Sequence, residues 1–408
     1  MRTGGGLPCR ARALFPLDAD DLAADLRRLG FSADEALRQA RLAHTRAVRV
    51  DALLPDEAAL LKERTRVAGA QFVAGPSVHE EGAMDAILLG SAAELAALVP
   101  DSQWLAPSVP SMLRLGRHTL DLSRRVALMG VLNVTPDSFF DGGRHNAPEA
   151  AVEHALRLVD EGAGIIDVGG DSAGGRAARI DAAEEIRRVE PVIRVLARQV
   201  TVPIAVDTHR PVTAAAALDA GASMVNDITG LADPEMALTI SRGGAAAAGV
   251  CVMHIKGVPK EFPPDFDYAT VTGDVLRFLY ERTQQAIDAG VPADRLVIDP
   301  GIEFGKLLGQ DLELLRRLPE VGVRGYPLLV AVSRKHFIGH IGGGLPPEER
   351  LEGTAAAVTF SVMRGARILR VHDVGAMARV VAVTEALMGW RYTPDDQRSR
   401  VRSDGVMV

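Results

Sequence analysis

Cysteine is scarce. Cys9 and Cys251 are the two in 408 residues, too far apart for a disulfide framework and without metal-ligand spacing, a usage that fits a reducing compartment. Lysine is nearly as rare, confined to Lys62, Lys256, Lys260, Lys306 and Lys335, so a lysine at a strand end stands out. No long basic run is present and the formal net charge is -7, which speaks against nucleic acid or a membrane surface as partner and leaves room for a small polyanionic substrate. No stretch reaches the ~20 apolar residues of a membrane span. The Gly-rich, basic stretch from Met1 to Arg12 lacks the apolar core of a signal peptide. The expected location is the cytoplasm. Also missing are a Ser-His-Asp arrangement and a His-Glu-x-x-His pair, which favours chemistry carried by positioning and a good leaving group.

What is present is a globular composition, 47% hydrophobic and 24% charged, with length for two or three domains. Asp18 to Leu29 and Ser32 to Leu42 have helical spacing, separated by Gly30. Ala47 to Leu54 alternates like a strand. A helix over Pro55 to Val67, strands over Ala70 to Ala74 and Ala83 to Gly90, and a helix over Ala92 to Val99 complete a small mixed α/β unit spanning 1–110 with its linker. His44, His79, Glu80 and Glu81 form no catalytic constellation there. Pro100 to Pro110 reads as the linker. Met112 to Leu115 and His118 to Leu122 read as a hairpin able to close the bottom of a barrel.

From Ala127 onward, short runs rich in Val, Ile and Leu alternate with helical patterns. The runs are Ala127 to Val134, Gly164 to Val168, Pro203 to Val206, Ser223 to Val225, Gly249 to Met253, Arg295 to Ile298, Pro327 to Val332 and Arg367 to Val371. Continuous apolar character marks strands buried on both faces, as in a parallel sheet. One intervening helix opens with Asp181-x-x-Glu184, a capping-box spacing. Eight such units predict a (β/α)8 TIM barrel over 111–390, with a tail at 391–408. An open doubly wound sheet is disfavoured because no Gly-x-Gly-x-x-Gly turn opens the first helix.

The runs stop at polar residues: Asn133, Asp207, Asn226, His254, Asp299, Ser333 with Lys335, and Arg370 with His372. In a barrel these converge on the face where active sites sit. Singly, Asn133 is as well read as a turn residue, and Asp207, Asn226 and Asp299 as caps. Together they suit a flat heterocycle with donor and acceptor edges, such as an aminopyrimidinone. Lys335, Arg370 and His372 follow the seventh and eighth strands, where barrels often bind phosphate. The alternative is surface cations or a salt bridge to Asp373. Phe304 either stacks on a ligand or packs inward, Lys306 has no single reading, and His254 reads as a core histidine with a backbone partner.

The same stretches resemble the dihydropteroate synthase family. Met129-Gly-Val-Leu-Asn-Val-Thr-Pro-Asp-Ser-Phe-Phe-Asp-Gly-Gly143, Asp207-Thr208, Asn226-Asp227-Ile228, Met253-His254, Asp299-Pro-Gly301, Phe304-Gly-Lys306, Ser333-Arg-Lys335 and Arg370-Val-His-Asp373 occur in family order. The resemblance implies condensation of 6-hydroxymethyl-7,8-dihydropterin pyrophosphate with 4-aminobenzoate, with Mg2+. It implies that Asp207, Asn226, Asp299 and Lys335 hold the pterin, with Met253, Phe304 and Ser333 also at the substrate. Asn133, Arg370 and His372 are implied to hold the pyrophosphate, Asn133 also meeting the metal. A homodimer is implied too. The chain departs from the family after the second strand: Gly169-Gly-Asp-Ser-Ala-Gly-Gly-Arg176 stands where Gly-Gly-Glu-Ser-Thr-Arg-Pro-Gly is usual. Ala173 and Gly174 replace the Thr and Arg that, by the resemblance, help form the aminobenzoate and pyrophosphate sites, and Arg176 is the expected substitute. Two other readings are a pterin-dependent methyltransferase, which the Ser-Arg-Lys segment opposes, and a pterin-binding paralogue without turnover.

Overall fold

The computed structural model describes residues 27, 32–35, 46–78, 84–91, 94–95, 97–98, 112–134, 147–171, 180–242, 248–261, 266–322 and 325–390. Most of the first two expected helices, the linker Pro100 to Pro110, the loop after Val134, Arg176 and the tail beyond Trp390 lie outside the described residues. So do His44, His79, Glu80 and Glu81. The chain divides into two compact units, Met1–Ala106 and Pro107–Val408.

In the first unit, β1 (Arg46–Leu53), helix α1 (Pro55–Ala68), β2 (Gln71–Val78) and β3 (Met84–Gly90) follow one another. The sheet order is β1-β3-β2, antiparallel at both pairings. Pro55 begins α1, where its missing N–H costs nothing, and the Glu57 carboxylate accepts the Leu54 N–H at 3.0 Å. Val48, Leu88, Leu95 and Leu98 make the core. Beyond β3, the Ser91 N–H donates to Glu94 Oε2 at 2.6 Å and the Glu94 N–H to Ser91 Oγ at 3.3 Å. That reciprocal pair is a capping-box pattern, and Glu94 and Leu95 are helical; most of the other residues of the helix expected over Ala92 to Val99 lie outside the described residues.

The second unit begins with the hairpin β4 (Met112–Leu115) and β5 (His118–Asp121). Then come β6 (Ala127–Asn133), α2 (Ala147–Asp160), β7 (Ile165–Gly169), α3 (Ala182–Gln199), β8 (Ile204–Asp207), α4 (Pro211–Ala220), β9 (Met224–Asp227), α5 (Pro234–Arg242) and β10 (Gly249–Met253). α6 (Val271–Asp288), β11 (Leu296–Asp299), α7 (Leu308–Arg316), α8 (Leu318–Val321), β12 (Leu329–Val330), α9 (His336–Ile341), α10 (Leu351–Met363), β13 (Ile368–Val371) and α11 (Val374–Leu387) complete it. The eight long-range strands pair in the order β11-β10-β9-β8-β7-β6-β13-β12. A parallel bridge between Ile298 and Leu328 joins the two ends, giving the nearly closed (β/α)8 TIM barrel.

Two apolar layers explain the strand composition. Outside the strands, residues such as Leu132, Val168, Val206 and Val252 pack under the helices. Inside, every strand supplies one residue: Met129, Ile165, Ala205, Met224, Cys251, Val297, Leu329 and Ile368. Leu113, Leu115 and Leu122 of the hairpin region join that inner cluster and plug the barrel. Gly249 makes room for the plug, because a Cβ there would sit 2.3 Å from Leu115 Cδ2.

Local signals act largely as expected. Asp181 caps α3 by accepting the Glu184 N–H at 2.8 Å, but Glu184 binds Arg187 and Arg188 instead of reaching back. Half of the capping box therefore forms. β6, β7, β8, β9 and β11 run to Asn133, Gly169, Asp207, Asp227 and Asp299, because these residues still pair in the ladder. β12 shrinks to two residues. α9, which no periodicity announced, follows it.

Candidate active site

In a strand, inward side chains recur every second residue. One step beyond the inner apolar layer, the strands therefore present Asp167 above Ile165, Asp207 above Ala205 and Asn226 above Met224. They likewise present Met253 above Cys251, Asp299 above Val297 and Arg370 above Ile368. Ladder pairing sets Asn133, Gly169, Asp207 and Asn226 side by side on four neighbouring strands. The polar residues are thus a layer of the barrel, built on rigid strands.

Arg370 is the hub of this layer. Its Nε donates to Asp167 Oδ2 at 2.6 Å and its Nη2 to Asp207 Oδ2 at 2.8 Å. Asn226 Nδ2 donates to the same Asp167 oxygen at 3.1 Å, which leaves the Asn226 Oδ1 as an acceptor. Asp167 is 0% exposed, and its Oδ1 has no hydrogen-bond partner among the described residues. Burial pushes the Asp207 carboxyl above its usual range, Arg370 pulls it back, and the neighbouring Asp167 raises it further. Burial works to lower the Arg370 pKa, but Asp167 and Asp207 outweigh it and hold the guanidinium charged. Arg370 is therefore an internally balanced cation, paired within the layer with Asp167 and Asp207.

The loops after β10 and β11 are bolted together. Asp299 is buried and accepts the Gly301 N–H at 2.7 Å; burial raises its pKa against the pull of that bond and of Lys335 and Lys306. Gly301 has φ of 66, and a Cβ on it would lie 1.8 Å from the His254 carbonyl oxygen. Lys306 Nζ contacts His254 Nδ1 at 2.9 Å and donates to the carbonyls of Gly301 at 2.7 Å and Phe304 at 3.1 Å. Burial and Lys306 push His254 down to about 2, so its ring is neutral and Nδ1 accepts. His254 is a core histidine as expected, but its side-chain partner is an ammonium group.

Lys335 Nζ donates to the Ile302 carbonyl at 2.7 Å and lies 4.5 Å from the centre of the Phe304 ring. Phe304 also packs with Ile228, Met253 and Ile255 in an apolar patch. Ser333 Oγ accepts the His372 N–H at 3.2 Å and lies 3.1 Å from His372 Nδ1. Burial, then Arg370, lower His372 to about 4; solvent at its exposed edge moderates that shift. Asp373 is taken by Arg334, which donates through Nε at 2.8 Å and Nη2 at 2.7 Å.

A cavity of about 810 Å³ opens at the mouth beside Asp207, lined by Thr208, Arg210, Ile228, Val258 and Lys260 among others. Its polar wall is one network. Lys260 Nζ donates to Asp171 Oδ1 at 2.7 Å, and Arg210 donates to Glu185 Oε2 at 2.9 Å and to Asp171 Oδ2 at 3.4 Å. A pocket of this size, rich in charged and polar side chains, suits a small polar molecule.

Residues 129–372 match the family model of pterin binding enzymes. The dihydropteroate synthase of Synechocystis is 40% identical over 288 residues, covering 70% of this chain and 98% of that protein. The Xanthomonas albilineans dihydropteroate synthase solved with 4-aminobenzoic acid aligns with a TM-score of 0.64 at 41% identity, covering 68% of this chain and 98% of the other. The same enzyme in complex with 7,8-dihydropteroate aligns with a TM-score of 0.61 at 40% identity, covering 68% and 98%.

This chain belongs to the pterin-binding enzyme family. Of the residues expected to serve a member of that family, the fold gathers Asn133, Asp207, Asn226, Met253, Asp299, Phe304, Ser333, Lys335, Arg370 and His372 at the strand ends. Arg176 lies outside the described residues. Strand-end reading missed Asp167, which sits inside β7 two residues past Ile165. Its signal was available: a lone carboxylate in an otherwise apolar strand, at the inward parity. It also missed Glu303, whose φ of 69 and cross-loop contact no pattern in the sequence announces.

Proposed function

We propose that this chain, as a dihydropteroate synthase, joins 6-hydroxymethyl-7,8-dihydropterin pyrophosphate to 4-aminobenzoate, giving 7,8-dihydropteroate and pyrophosphate. The observation that carries the reading is the inward polar layer with Asp207, Asn226 and Asp299 on adjacent parts of one wall, beside an apolar patch that includes Met253 and Phe304. Carboxylates accept from the ring N–H and amino groups of a pterin, and Asn226 has its Oδ1 left to accept. Lys335 gives the ring a fixed cation, and Met253 and Phe304 bound its faces.

In the reaction the bond between the pterin methylene carbon and the pyrophosphate oxygen breaks, and the electron pair leaves with pyrophosphate. The cation left behind is spread into the ring, the amine nitrogen of 4-aminobenzoate attacks the methylene carbon, and that nitrogen loses a proton. Asn133, Ser333, Arg370 and His372 face the leaving group as preorganised donors and dipoles, and the walls hold both reactants in line. Arg176 is assigned to the second-substrate pocket in place of the residues replaced by Ala173 and Gly174.

Magnesium fits as an ion carried in with the pyrophosphate. Such an ion keeps several waters and takes substrate phosphates with one or two protein oxygens. No group of three His, Cys, Asp or Glu among the described residues forms a protein cage, and Asn133, exposed at the end of β6, supplies the protein oxygen. When bound, the ion offsets charge on the leaving group. A homodimer is part of the proposal, supported by the apolar groove that Phe337, Ile338, Ile341 and Phe360 line; sedimentation tests it. So is a cytoplasmic location; among the described residues no helix is long and apolar enough to cross a membrane.

The test is pyrophosphate release by the purified protein with dihydropterin pyrophosphate and Mg2+, with and without 4-aminobenzoate. Release that depends on 4-aminobenzoate and yields dihydropteroate is the expected result. Tight dihydropterin binding with no turnover would replace this reading with the non-catalytic one.

A further inference from the structure

Glu303 occupies a backbone conformation that its residue type disfavours. Its φ is 69, in the left-handed region where a Cβ costs roughly 1 kcal/mol and glycine is the usual occupant. A buried carboxylate fixes it there, since the Glu303 N–H donates to Asp311 Oδ1 at 2.8 Å. From that position its side chain crosses to the next loop, where Oε1 accepts the Phe337 N–H at 2.6 Å. Phe337 is the second residue of α9, and Lys335 is the residue that caps this helix.

The two neighbours of Glu303 hold the other end of the same lysine. Lys335 Nζ donates to the Ile302 carbonyl at 2.7 Å and lies 4.5 Å from the Phe304 ring centre. Three consecutive residues therefore grip Lys335, two at its ammonium and Glu303 at the backbone beyond it. A glycine at 303 would satisfy the conformation and lose the grip. The strained residue has a task that the relaxed one lacks.

We propose that Glu303 is a positioning residue for Lys335, setting the start of α9 with its carboxylate so that the Lys335 ammonium is held in place at the pterin pocket. The proposal rests on the reading of Lys335 as a pterin-binding group. Charges facing Lys335 come from two sides: Glu303 with Asp299, Asp311 and Lys306 around the loop after β11, and Arg370 and His372 from the end of β13. Burial drives Lys335 toward its neutral form, and Glu303 leads the carboxylates that oppose this, ahead of Asp299 and Asp311.

The test uses the full chain with Glu303→Gln, which keeps shape and the ability to accept the Phe337 N–H but loses the charge. Glu303→Gly, which relaxes the backbone and removes the side chain, accompanies it. Lys335→Met is the control for the site itself. Kinetics are read as KM for each substrate and as the pH profile of kcat/KM. The Gln variant is expected to move the alkaline limb down by about one pH unit. The Gly variant is expected to raise KM for dihydropterin pyrophosphate by about tenfold, with KM for 4-aminobenzoate within about twofold and the thermal midpoint within about 5 °C of wild type, because relieved backbone strain offsets most of the lost Phe337 N–H bond. Both limbs unmoved and KM unchanged in the two variants, with Lys335→Met impaired, would overturn the role of Glu303. If Lys335→Met itself keeps normal affinity for dihydropterin pyrophosphate, the reading of the site fails and the proposal falls with it.

Discussion

Replacing Asp167 by Asn tests whether the polar layer is held together from beneath. Asp167 is fully buried, and one of its oxygens takes both the Arg370 Nε and the Asn226 Nδ2 bonds. An amide in its place can keep both bonds only by turning its own oxygen toward them. That puts its NH2 where Oδ1 now has no partner among the described residues. Turning a charged bond into a neutral one costs about 1 kcal/mol, and an unsatisfied buried N–H2 about 1–3 kcal/mol more. The expected loss of stability is about 2–4 kcal/mol, read from urea unfolding at neutral pH. The guanidinium is then anchored mainly by Asp207, and a slackening of about 1.4 kcal/mol at the transition state lowers kcat/KM about tenfold. Alternatively the amide turns the other way, opposes donor to donor and costs more. A variant within 0.5 kcal/mol, the order of an ordinary surface change, and with wild-type kcat/KM would refute the reasoning, because Asp167 would then be a passenger.

Two further perturbations probe the loop after β11. Gly301→Ala forces a side chain into φ of 66 with its Cβ 1.8 Å from the His254 carbonyl oxygen; a loss of about 3 kcal/mol or more is expected in denaturant unfolding, and a loss below 1 kcal/mol would mean that the two loops separate readily. His254 is held down to about 2 by burial and by Lys306, so the folded state binds fewer protons than the unfolded one. Its contribution is complete above about pH 6.5 and is lost as pH falls below that value, at up to about 1.4 kcal/mol per unit. His254→Gln is therefore expected to lose stability less steeply than wild type between pH 7 and 5, and parallel urea midpoints over that range would contradict the assignment.

Much of this architecture is legible without coordinates, for identifiable reasons. Strands buried on both faces leave continuous apolar runs, and polar residues that recur at the ends of several such runs converge on the mouth of the barrel. That logic finds Asn133, Asp207, Asn226 and Asp299. It fails for Asp167 because the residue lies one inward step deeper, where the strand continues past it to Val168 and Gly169. Parity would have caught it, since Ile165 and Asp167 share a face. Side-chain partnering across loops is beyond such reading altogether. Arg334 with Asp373, Lys306 with His254 and Glu303 with Phe337 join residues 39, 52 and 34 positions apart, and nothing local in the sequence couples them.

The charge balance of the mouth leads to the last prediction. Several cations around the polar layer are already engaged: Arg370 has Asp167 and Asp207, Arg334 has Asp373, Lys260 and Arg210 share Asp171, and Lys306 donates to His254 and to the Gly301 and Phe304 carbonyls. Lys335 faces Glu303 and Asp299, while His372 is lowered to about 4 and offers a neutral ring at pH 7. A wall so balanced can orient a pterin through specific bonds, but it has little unspent positive charge for a pyrophosphate carrying several negative ones. The compensating charge must arrive with the substrate, which is the role proposed for Mg2+. Pyrophosphate binding followed by calorimetry is therefore expected to strengthen at least tenfold, about 1.4 kcal/mol, when Mg2+ is added, and to weaken again with a chelator. Equal affinity with and without the ion would show that the protein supplies the positive charge itself, and the place to look would then be Arg176 and the loop that carries it.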